Sequence, residues 1–350
     1  SVRVRERTRR FRSPATAGSP VALVPPGGGH SVVYRDTEDY LVELWDVPGS
    51  AGSGRLAGRE VAPAATGRPS GFVGPDGTAV VLYRGADAHI HSLYWSGPAA
   101  AGHDALSETA GAITAAGDPC GYVLAGVTHV FYRSDDGNIE ELWWAGAGEI
   151  GHGHITGYCE EPLAAGDPGA YPVTTTGQNI VLYRGVDAHV HSLYWSDGPT
   201  GHDDLSGYVG SPLAAGEPSG YHTPHDDSHQ VVYRGVDGHV HEIWWVGADP
   251  AKGWDLVAAA GAPGAAADPV SWFVPETGVK HVAYVGTDGH VHDLAWAPGA
   301  GAPGWTDLSV VAMAPPAVAD RVTVAHNAGS PVCRLVFRAG DGQLYEIAWG

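Results

Sequence analysis

A repeat of about fifty residues fills this chain and constrains its fold more than any other feature. The stretches "YRGADAHIHSLYWS", "YRGVDAHVHSLYWS" and "YRGVDGHVHEIWWV" are close copies of one another. Their first residue recurs seven times, once as phenylalanine, at Tyr34, Tyr83, Tyr132, Tyr183, Tyr233, Tyr284 and Phe337. The spacings are 49, 49, 51, 50, 51 and 53 residues, so seven units occupy the 350 residues. Such a period indicates a repeat architecture and leaves no length for a second domain.

The pattern within one unit predicts a β-hairpin. In the fifth unit, the residues from Val231 to Arg234 are mostly β-branched or aromatic, as strands favour. The following Asp237-Gly238 predicts a two-residue type I′ turn. That turn would place Arg234 opposite His241 and Tyr233 opposite Glu242 on the returning strand. The later "DLS" is interpreted as a short outer strand, and no long stretch has the period of a helix.

Four short strands per unit, separated by turns from a pool of 51 Gly and 26 Pro, predict an all-β fold, a single seven-bladed β-propeller with four-stranded blades. One domain would span residues 1–350. The predicted blades lie at about 20–60, 70–109, 120–160, 170–209, 220–259, 271–311, and 322–350 together with 1–13. The last unit stops at "YEIAWG" and lacks an outer strand, so we expect an N-terminal strand to complete blade seven. The alternative for Arg3 to Arg12 is a solvated basic tail.

Composition excludes several classes of partner. The net charge is −20, and only the first twelve residues are basic, which argues against nucleic acid and anionic membranes. No apolar run is long enough to insert across a bilayer.

Three cysteines, Cys120, Cys159 and Cys333, are too few and odd in number for a disulfide framework, so we expect buried thiols. Seventeen Arg against two Lys are typical of a GC-rich bacterial genome. No signal peptide is visible, and the sequence leaves a secreted or cytoplasmic location open.

Paired histidines recur in four units. An H-x-H pair on a strand places both rings on one face, which is a possible metal geometry. A single reaction centre does not need four copies, however, so a structural role is favoured over the metal-binding alternative. The pairs are His89 and His91, His189 and His191, His239 and His241, and His290 and His292. No motif for a P-loop, a nucleophile elbow or a zinc protease is present, so the sequence predicts neither catalytic residues nor a cofactor.

A second recurring set combines an arginine, an acid and a tryptophan. Indole rings pack against the apolar face of a sugar, and charged planar groups bind its hydroxyls, so the set predicts sugar pockets. The alternative is that tryptophan fills space between blades and arginine pairs with a neighbouring acid. The predicted sugar-binding residues are Arg133, Glu141 and Trp144; Arg234, Glu242 and Trp245; Asp293 and Trp296; and Arg338, Glu346 and Trp349.

With these residues the chain resembles the seven-bladed β-propeller lectins of the Photorhabdus type, which bind fucose and O-methylated sugars. The motifs are "QVVYRGVDGHVHEIWW", "HVFYRSDDGNIEELWW" and "AAGDPCGYV", and the similarity covers nearly the whole chain. The resemblance implies sugar sites between neighbouring blades, glycan partners and a homo-oligomer.

The units are unequal, which leaves alternatives to a multivalent lectin open. Blade one reads "YRDTEDYLVELWD", without the Asp-Gly turn or the histidines. Ser92 and Ser192 replace the acid, and Val285 replaces an arginine. One alternative is an enzyme with a single histidine–acid site at a divergent blade junction or in the central channel. Another is a protein-interaction scaffold.

Overall fold

The computed structural model describes residues 2–58, 60–97, 101–157 and 161–350. These residues form seven four-stranded antiparallel sheets. Six of the sheets are built from strands that are consecutive along the chain, and the seventh combines the first strand with the last three. Every innermost strand contacts the innermost strand of the next sheet, and the last contacts the first. The predicted seven-bladed β-propeller is therefore confirmed.

The first three blades follow one another along the chain from inner to outer strand. Blade one contains β2 (Val21–Leu23), β3 (His30–Arg35), β4 (Leu41–Val47) and β5 (Ser50–Arg55). Blade two contains β6 (Ala65–Val73), β7 (Ala79–Gly85), β8 (Ile90–Trp95) and β9 (Gly102–Ala105). Blade three contains β10 (Cys120–Leu124), β11 (Val127–Arg133), β12 (Ile139–Ala145) and β13 (Gly151–His154).

The next three blades repeat this order. Blade four contains β14 (Gly169–Val173), β15 (Gln178–Arg184), β16 (Val190–Trp195) and β17 (Gly201–Asp204). Blade five contains β18 (Ser219–Thr223), β19 (Ser228–Arg234), β20 (Val240–Val246) and β21 (Lys252–Asp255). Blade six contains β22 (Val270–Val274), β23 (Val279–Val285), β24 (Val291–Trp296) and β25 (Gly304–Asp307).

Blade seven closes the ring by joining the two ends of the chain. It contains β26 (Thr323–His326), β27 (Cys333–Arg338), β28 (Leu344–Trp349) and the N-terminal β1 (Arg3–Glu6). Strand β1 pairs antiparallel with β28, with Arg3 opposite Ala348 and Glu6 opposite Tyr345. The predicted N-terminal outer strand is confirmed, and the first basic residues belong to it instead of forming a solvated tail.

The central hairpin of each blade differs from the predicted one by a single residue. In blade five the amide of Gly235 donates to His239 O at 2.9 Å, and the amide of Gly238 donates to Gly235 O at 3.0 Å. The loop therefore holds three residues and ends on Gly238, whose φ of 77° is left-handed. Asp237 stabilises it by accepting from the amide of His239.

This extra loop residue shifts the strand register by one. Tyr233 pairs with His241, and Arg234 pairs with Val240, so the predicted pairing was wrong. Because side chains alternate between the two faces of a strand, the shift also changes which residues share a face. The predicted contact between Tyr233 and Glu242 is replaced by a hydrogen bond from the Tyr233 hydroxyl to Pro212 O, at 2.8 Å.

The "DLS" segment was also misassigned. Its Asp204 ends the outer strand, and Leu205 begins a one-turn helix. The Asp204 carboxylate accepts from the amide of Gly207 at 2.8 Å, as an N-cap does. Such helices follow the outer strands of four blades: α1 (Leu106–Ala110), α2 (Leu205–Val209), α3 (Leu256–Ala260) and α4 (Leu308–Ala312). A single turn is too short to produce a helical period in the sequence.

The hydrophobic core is divided among the blade junctions. Seven clusters of described residues each combine apolar side chains from two adjacent blades. The repeated tyrosines are almost fully buried in them. The hydroxyls of five of them donate to a carbonyl that precedes the same blade, as Tyr183 does to Pro162 and Tyr284 to Pro263. A buried phenol needs such an acceptor, which explains the repetition of tyrosine.

We predict that Tyr233→Phe destabilises the protein by roughly 1–2 kcal/mol, because Pro212 O then loses its buried partner. Chemical unfolding measures the change. Phe337, which occupies this position in blade seven, indicates that the ring itself fits. Unchanged stability would contradict a role for the hydroxyl.

Candidate inter-blade binding sites

Side-chain alternation along one strand separates the acid and the tryptophan of one unit. Glu242 pairs with Val232, whereas Trp245 pairs with His229, so the two side chains point to opposite faces of blade five. Trp245 packs against the cluster containing Ile180 of blade four. Glu242 shares its face with Val232, which packs against blade six. The predicted acid–tryptophan set of one blade is therefore not brought together.

The structure instead brings the acid of one blade to the tryptophan of the next. Trp296 of blade six packs against the Val232 cluster, on the side where Glu242 lies. Around the ring the same two positions are Glu43 with Trp95, Ser92 with Trp144, Glu141 with Trp195, Ser192 with Trp245, Glu242 with Trp296, Asp293 with Trp349, and Glu346 with Asp46.

A second aromatic ring lies two residues after the acid, on the same face. It is tryptophan in the odd blades one, three and five, as Trp45, Trp143 and Trp244. Blades two and four have tyrosine at this position. Blades six and seven have alanine there and lack the second ring. We call this second ring the rim aromatic. An acid with two tryptophans is thus complete at the one–two, three–four and five–six junctions.

Sequence reasoning missed six of these nine groups. It did not include Glu43, Trp95 or Trp195, nor any of the rim aromatics. The signal was present, because residues two apart on a strand share a face. Strand alternation alone groups Glu141 with Trp143 and assigns Trp144 to the opposite face.

Glycines on the outer strand seat the rim aromatics. A methyl group added at Gly151 would lie 2.5 Å from the Trp143 ring, and one at Gly52 would lie 2.5 Å from Trp45. The ring therefore rests directly on the outer-strand backbone. Blade five has Lys252 there, with its ammonium 4.7 Å from the centroid of Trp244.

The three–four junction contains a cavity with a volume of about 520 Å³. Glu141, Trp143, Trp195 and the outer-strand His154 line it. The carboxylate of Glu141 is 2.7 Å from Nδ1 of His129, which fixes its orientation. This volume lies within the range of small-molecule sites, which combine apolar rings with a few polar groups.

The five–six junction carries the same groups in a more closed setting. Burial raises the pKa of Glu242 to about 7, although the charge of Lys280 acts in the opposite direction. Burial likewise lowers the pKa of Lys280 despite the nearby carboxylate. Neither amide atom of the buried Gln230 has a hydrogen-bond partner among the described residues. Trp254 meets Trp296 edge to face at 6.2 Å. Polar groups thus remain available between the two blades.

The six–seven junction lacks the rim aromatic but has an acid, Asp293, whose carboxylate is hydrogen-bonded to a histidine. Both oxygens of Asp293 lie within 3.2 Å of Nδ1 of His281. The His281 ring stacks on Trp272 at 5.0 Å, and Trp349 approaches it edge-on at 6.2 Å. Asp293 and Trp349 therefore both contact His281, although they come from different predicted sets.

The seven–one junction is filled by the protein itself. Arg7 is completely buried, and its Nη1 lies 3.4 Å from Glu346 and 3.2 Å from Asp46. His30 Nε2 lies 2.6 Å from Glu346. Burial acts to raise the pKa of Glu346, but the His30 bond and the positive charges hold it below its usual value. Because these groups are closed to solvent, this histidine–acid pair has no access to a substrate.

The predicted arginines lie away from the tryptophans. Arg234 donates to Asp268 at 3.2 Å and to Ala215 O at 3.3 Å, where blades five and six meet near the innermost strands. Arg133 donates to Ala116 O at 3.2 Å, and Arg338 pairs with Asp320 at 2.6 Å. The contacts of Arg234 and Arg338 match the alternative in which arginine pairs with a neighbouring acid, whereas Arg133 donates to a backbone carbonyl.

The paired histidines have partners within the framework. In blade five, His241 is 2.9 Å from the turn residue Asp237, and His239 is 2.8 Å from the helix cap Asp255. His191 and His189 repeat this with Asp187 and Asp204, His292 and His290 with Asp288 and Asp307, and His91 and His89 with Asp87 and Ser107. These bonds support the structural role. His239 and His290 nevertheless each lie beside two carboxylates, so the metal-binding alternative remains a prediction there.

The thiols and the helices add little to the choice of function. Cys120 and Cys333 are free; Cys333 is buried and Cys120 only partly exposed, while Cys159 lies outside the described residues. Burial raises the pKa of Cys120 to about 12, so this thiol stays protonated at neutral pH. None of the described helices is both long and apolar enough to cross a membrane.

Comparison with known proteins identifies the fold. Neither a protein-family model nor a curated protein matches the sequence. Among solved structures, the lectin BP39L from Burkholderia pseudomallei aligns with a TM-score of 0.73 at 18% identity, over 95% of both chains. The chain shares the β-propeller fold of this lectin.

Two fungal proteins align less closely. Aleuria aurantia lectin, described as a six-bladed β-propeller with a novel fucose recognition mode, has a TM-score of 0.56 at 14% identity, over 82% of this chain and 93% of its own. AofleA from Arthrobotrys oligospora has a TM-score of 0.55 at 11% identity, over 88% of both chains. At these identities the likeness establishes a common fold, as the resemblance of the repeat predicted.

We predict that Glu242→Gln removes a pH-dependent loss of stability. Because the folded-state pKa is raised from 4.5 to about 7, the folded protein retains a proton that the unfolded chain releases. Raising the pH through that window should lower the free energy of unfolding of the wild type by up to roughly 3 kcal/mol. Unfolding curves of both proteins at pH 5 and pH 8 measure the difference.

The exposed Glu149→Gln is the matched control for loss of a surface charge, and its stability difference from the wild type should stay constant over the same pH range. Parallel pH profiles for wild type and Glu242→Gln would contradict the raised pKa.

Proposed function

We propose that the protein is a carbohydrate-binding lectin whose sites lie between adjacent blades. The observation that carries this proposal is the recurrence of one acid and two tryptophans at the one–two, three–four and five–six junctions. The propeller lectins of similar fold support it, since the Aleuria aurantia lectin is described by its fucose recognition.

The three–four junction offers the chemistry that a neutral sugar needs. The rim aromatic Trp143 and the deeper Trp195 can pack against the C–H groups of a pyranose ring. The carboxylate of Glu141, oriented by His129, accepts hydrogen bonds from two hydroxyls, and charged acceptors make the stronger bonds. A deoxy or O-methyl group would contact indole surface without leaving a polar atom unpaired, which favours fucose-like or O-methylated sugars.

Repetition of the site makes the binding multivalent. Three complete sites on one rigid ring would engage a surface that displays several copies of the sugar. Each added contact acts at a high effective concentration, so the avidity exceeds the affinity of one site by orders of magnitude. A homo-oligomer, which the sequence resemblance implies, would multiply the sites further.

The first experiment is calorimetric titration with L-fucose and its O-methyl derivatives, chosen after a glycan array. We expect weak binding at about three equivalent sites. Trp195→Ala and Glu141→Gln should each remove one of these sites, because both residues line the cavity between blades three and four. Trp144→Ala is the control, since it faces Ser92 at a junction without an acid.

The opposite pattern, with a site lost in Trp144→Ala and kept in Trp195→Ala, would contradict the pairing across blades. A well-folded protein that binds no glycan on the array would refute the lectin and leave the interaction scaffold.

We further predict that Gly151→Ala removes the three–four site without removing any of its side chains. The added methyl would overlap the Trp143 ring, so the rim aromatic must tilt away from the cavity. The number of sites should fall by one in the same titration. Gly201→Ala creates an equal overlap with Tyr194, at a junction that has Ser192 in the acid position, and should leave the number of sites unchanged. Equal losses in both variants would contradict the assignment.

A further inference from the structure

The inner hairpin of blade five departs from the repeat at three positions that lie together. His222 on β18 is opposite His229 on β19, and Asp227 lies in the turn that joins the strands. His222 Nε2 is 2.9 Å from the Asp227 carboxylate, and the two imidazole rings are 4.8 Å apart. One ligand atom from each of the three residues lies within 4.8 Å of the others.

The other blades show that the fold does not require these histidines. The position of His222 is apolar in blades three, four and six, where it holds Val123, Pro172 and Phe273. The position of His229 is taken there by Thr128, Asn179 and Lys280. Burying an imidazole where a hydrocarbon suffices costs desolvation free energy. Packing alone therefore does not account for His222.

Asp227 is a departure of the same kind. Its φ of 54° is left-handed, and the corresponding turn residues of blades four and six are Gly177 and Gly278, with φ of 70° and 67°. Residues with a side chain adopt this conformation at an energetic cost that glycine avoids. The turn would be more stable with glycine, yet it places a carboxylate beside His222.

We propose that His222, Asp227 and His229 bind a divalent transition-metal ion, with Zn²⁺ as the representative species. Two imidazoles and one carboxylate are a donor set that such ions favour, and zinc commonly keeps a fourth position for solvent. The two imidazole rings are buried, with His222 only 1% exposed, whereas the Asp227 side chain is 53% exposed. Solvent can therefore reach the fourth position from the Asp227 side.

Neighbouring groups hold the His229 ring in a fixed orientation. The Tyr171 hydroxyl of blade four is 3.1 Å from its Nδ1, and the Trp245 ring stacks on it at 4.5 Å with an angle of 6°. Partners of this kind orient the imidazoles of metal sites. The ion would therefore sit beside Trp245 at the four–five junction, where the acid position holds Ser192. The proposal is independent of sugar binding.

Two other groups of His and Asp have an explanation within the fold. Asp255 and Asp307 accept from the amides of Ala258 and Val310 as helix caps, and they also pair with His239 and His290. The same arrangement recurs at Asp204 in blade four. Among the described residues, the complete group of His222, Asp227 and His229 is found only in blade five.

The test is titration of ZnCl₂ into the metal-stripped full chain, read by calorimetry and by thermal unfolding. We expect one Zn²⁺ per chain at the tightest site and a rise in the unfolding temperature with added Zn²⁺. The substitutions come from the other blades, so that the hairpin still folds: His222→Phe, His229→Asn and Asp227→Gly. Each should weaken Zn²⁺ binding by about 100-fold or more, because each removes a direct ligand, and even the outer-shell partners of ligands are worth 10- to 100-fold in metal affinity.

Asp227→Gly gives a second readout, since it should raise the unfolding temperature without metal and abolish the further rise with Zn²⁺. His225→Ala is the matched control, because His225 lies on the same turn with its side chain 73% exposed and outside the group. Its Zn²⁺ affinity should equal that of the wild type. Unchanged affinity in Asp227→Gly and His222→Phe would overturn the proposal. So would loss of the tightest site in Asp255→Asn or Asp307→Asn.

Discussion

The register and the side-chain alternation of the central hairpin determine which residues meet at each blade junction. A three-residue loop closed by the left-handed Gly238 fixes that register. In this register the repeated tyrosine, Tyr233 in blade five, donates to the carbonyl of Pro212, which precedes its blade. Once the register is set, strand alternation sends the acid toward the following blade and the second tryptophan toward the preceding one. Each junction is therefore a composite of two blades, and no single repeat contains a site.

This composite origin explains why the junctions differ although the blades share one plan. Blades one, three and five bring Glu and Trp to the face that meets the following blade, and blades two and four bring Ser and Tyr. This alternation ends at blade six, which has Asp293 and Ala295 at these positions. At the seven–one junction, Arg7 and Asp46 occupy the space between the blades. Since each blade contacts only its neighbours, one junction can change without altering the rest.

The sequence was sufficient for the fold because the evidence for it is repeated seven times. Three features predict one closed ring. They are the evenly spaced repeated tyrosine, the turn at Asp237-Gly238, and the last unit, which lacks an outer strand. The sites were less accessible, because each one combines residues of two blades. Glu242 was grouped with Trp245 of its own strand, although residues three apart on a strand point to opposite faces, and its partner Trp296 belongs to the next repeat.

The central claim is that the acid of one blade acts with the tryptophan of the next. A double-mutant cycle in sugar affinity tests it most directly, with Glu141→Gln and Trp195→Ala measured singly and together, and Glu141→Gln combined with Trp144→Ala as reference. The account predicts strong coupling between Glu141 and Trp195, which share one cavity, and additive effects for Glu141 and Trp144. Additivity for the first pair together with coupling for the second would contradict it.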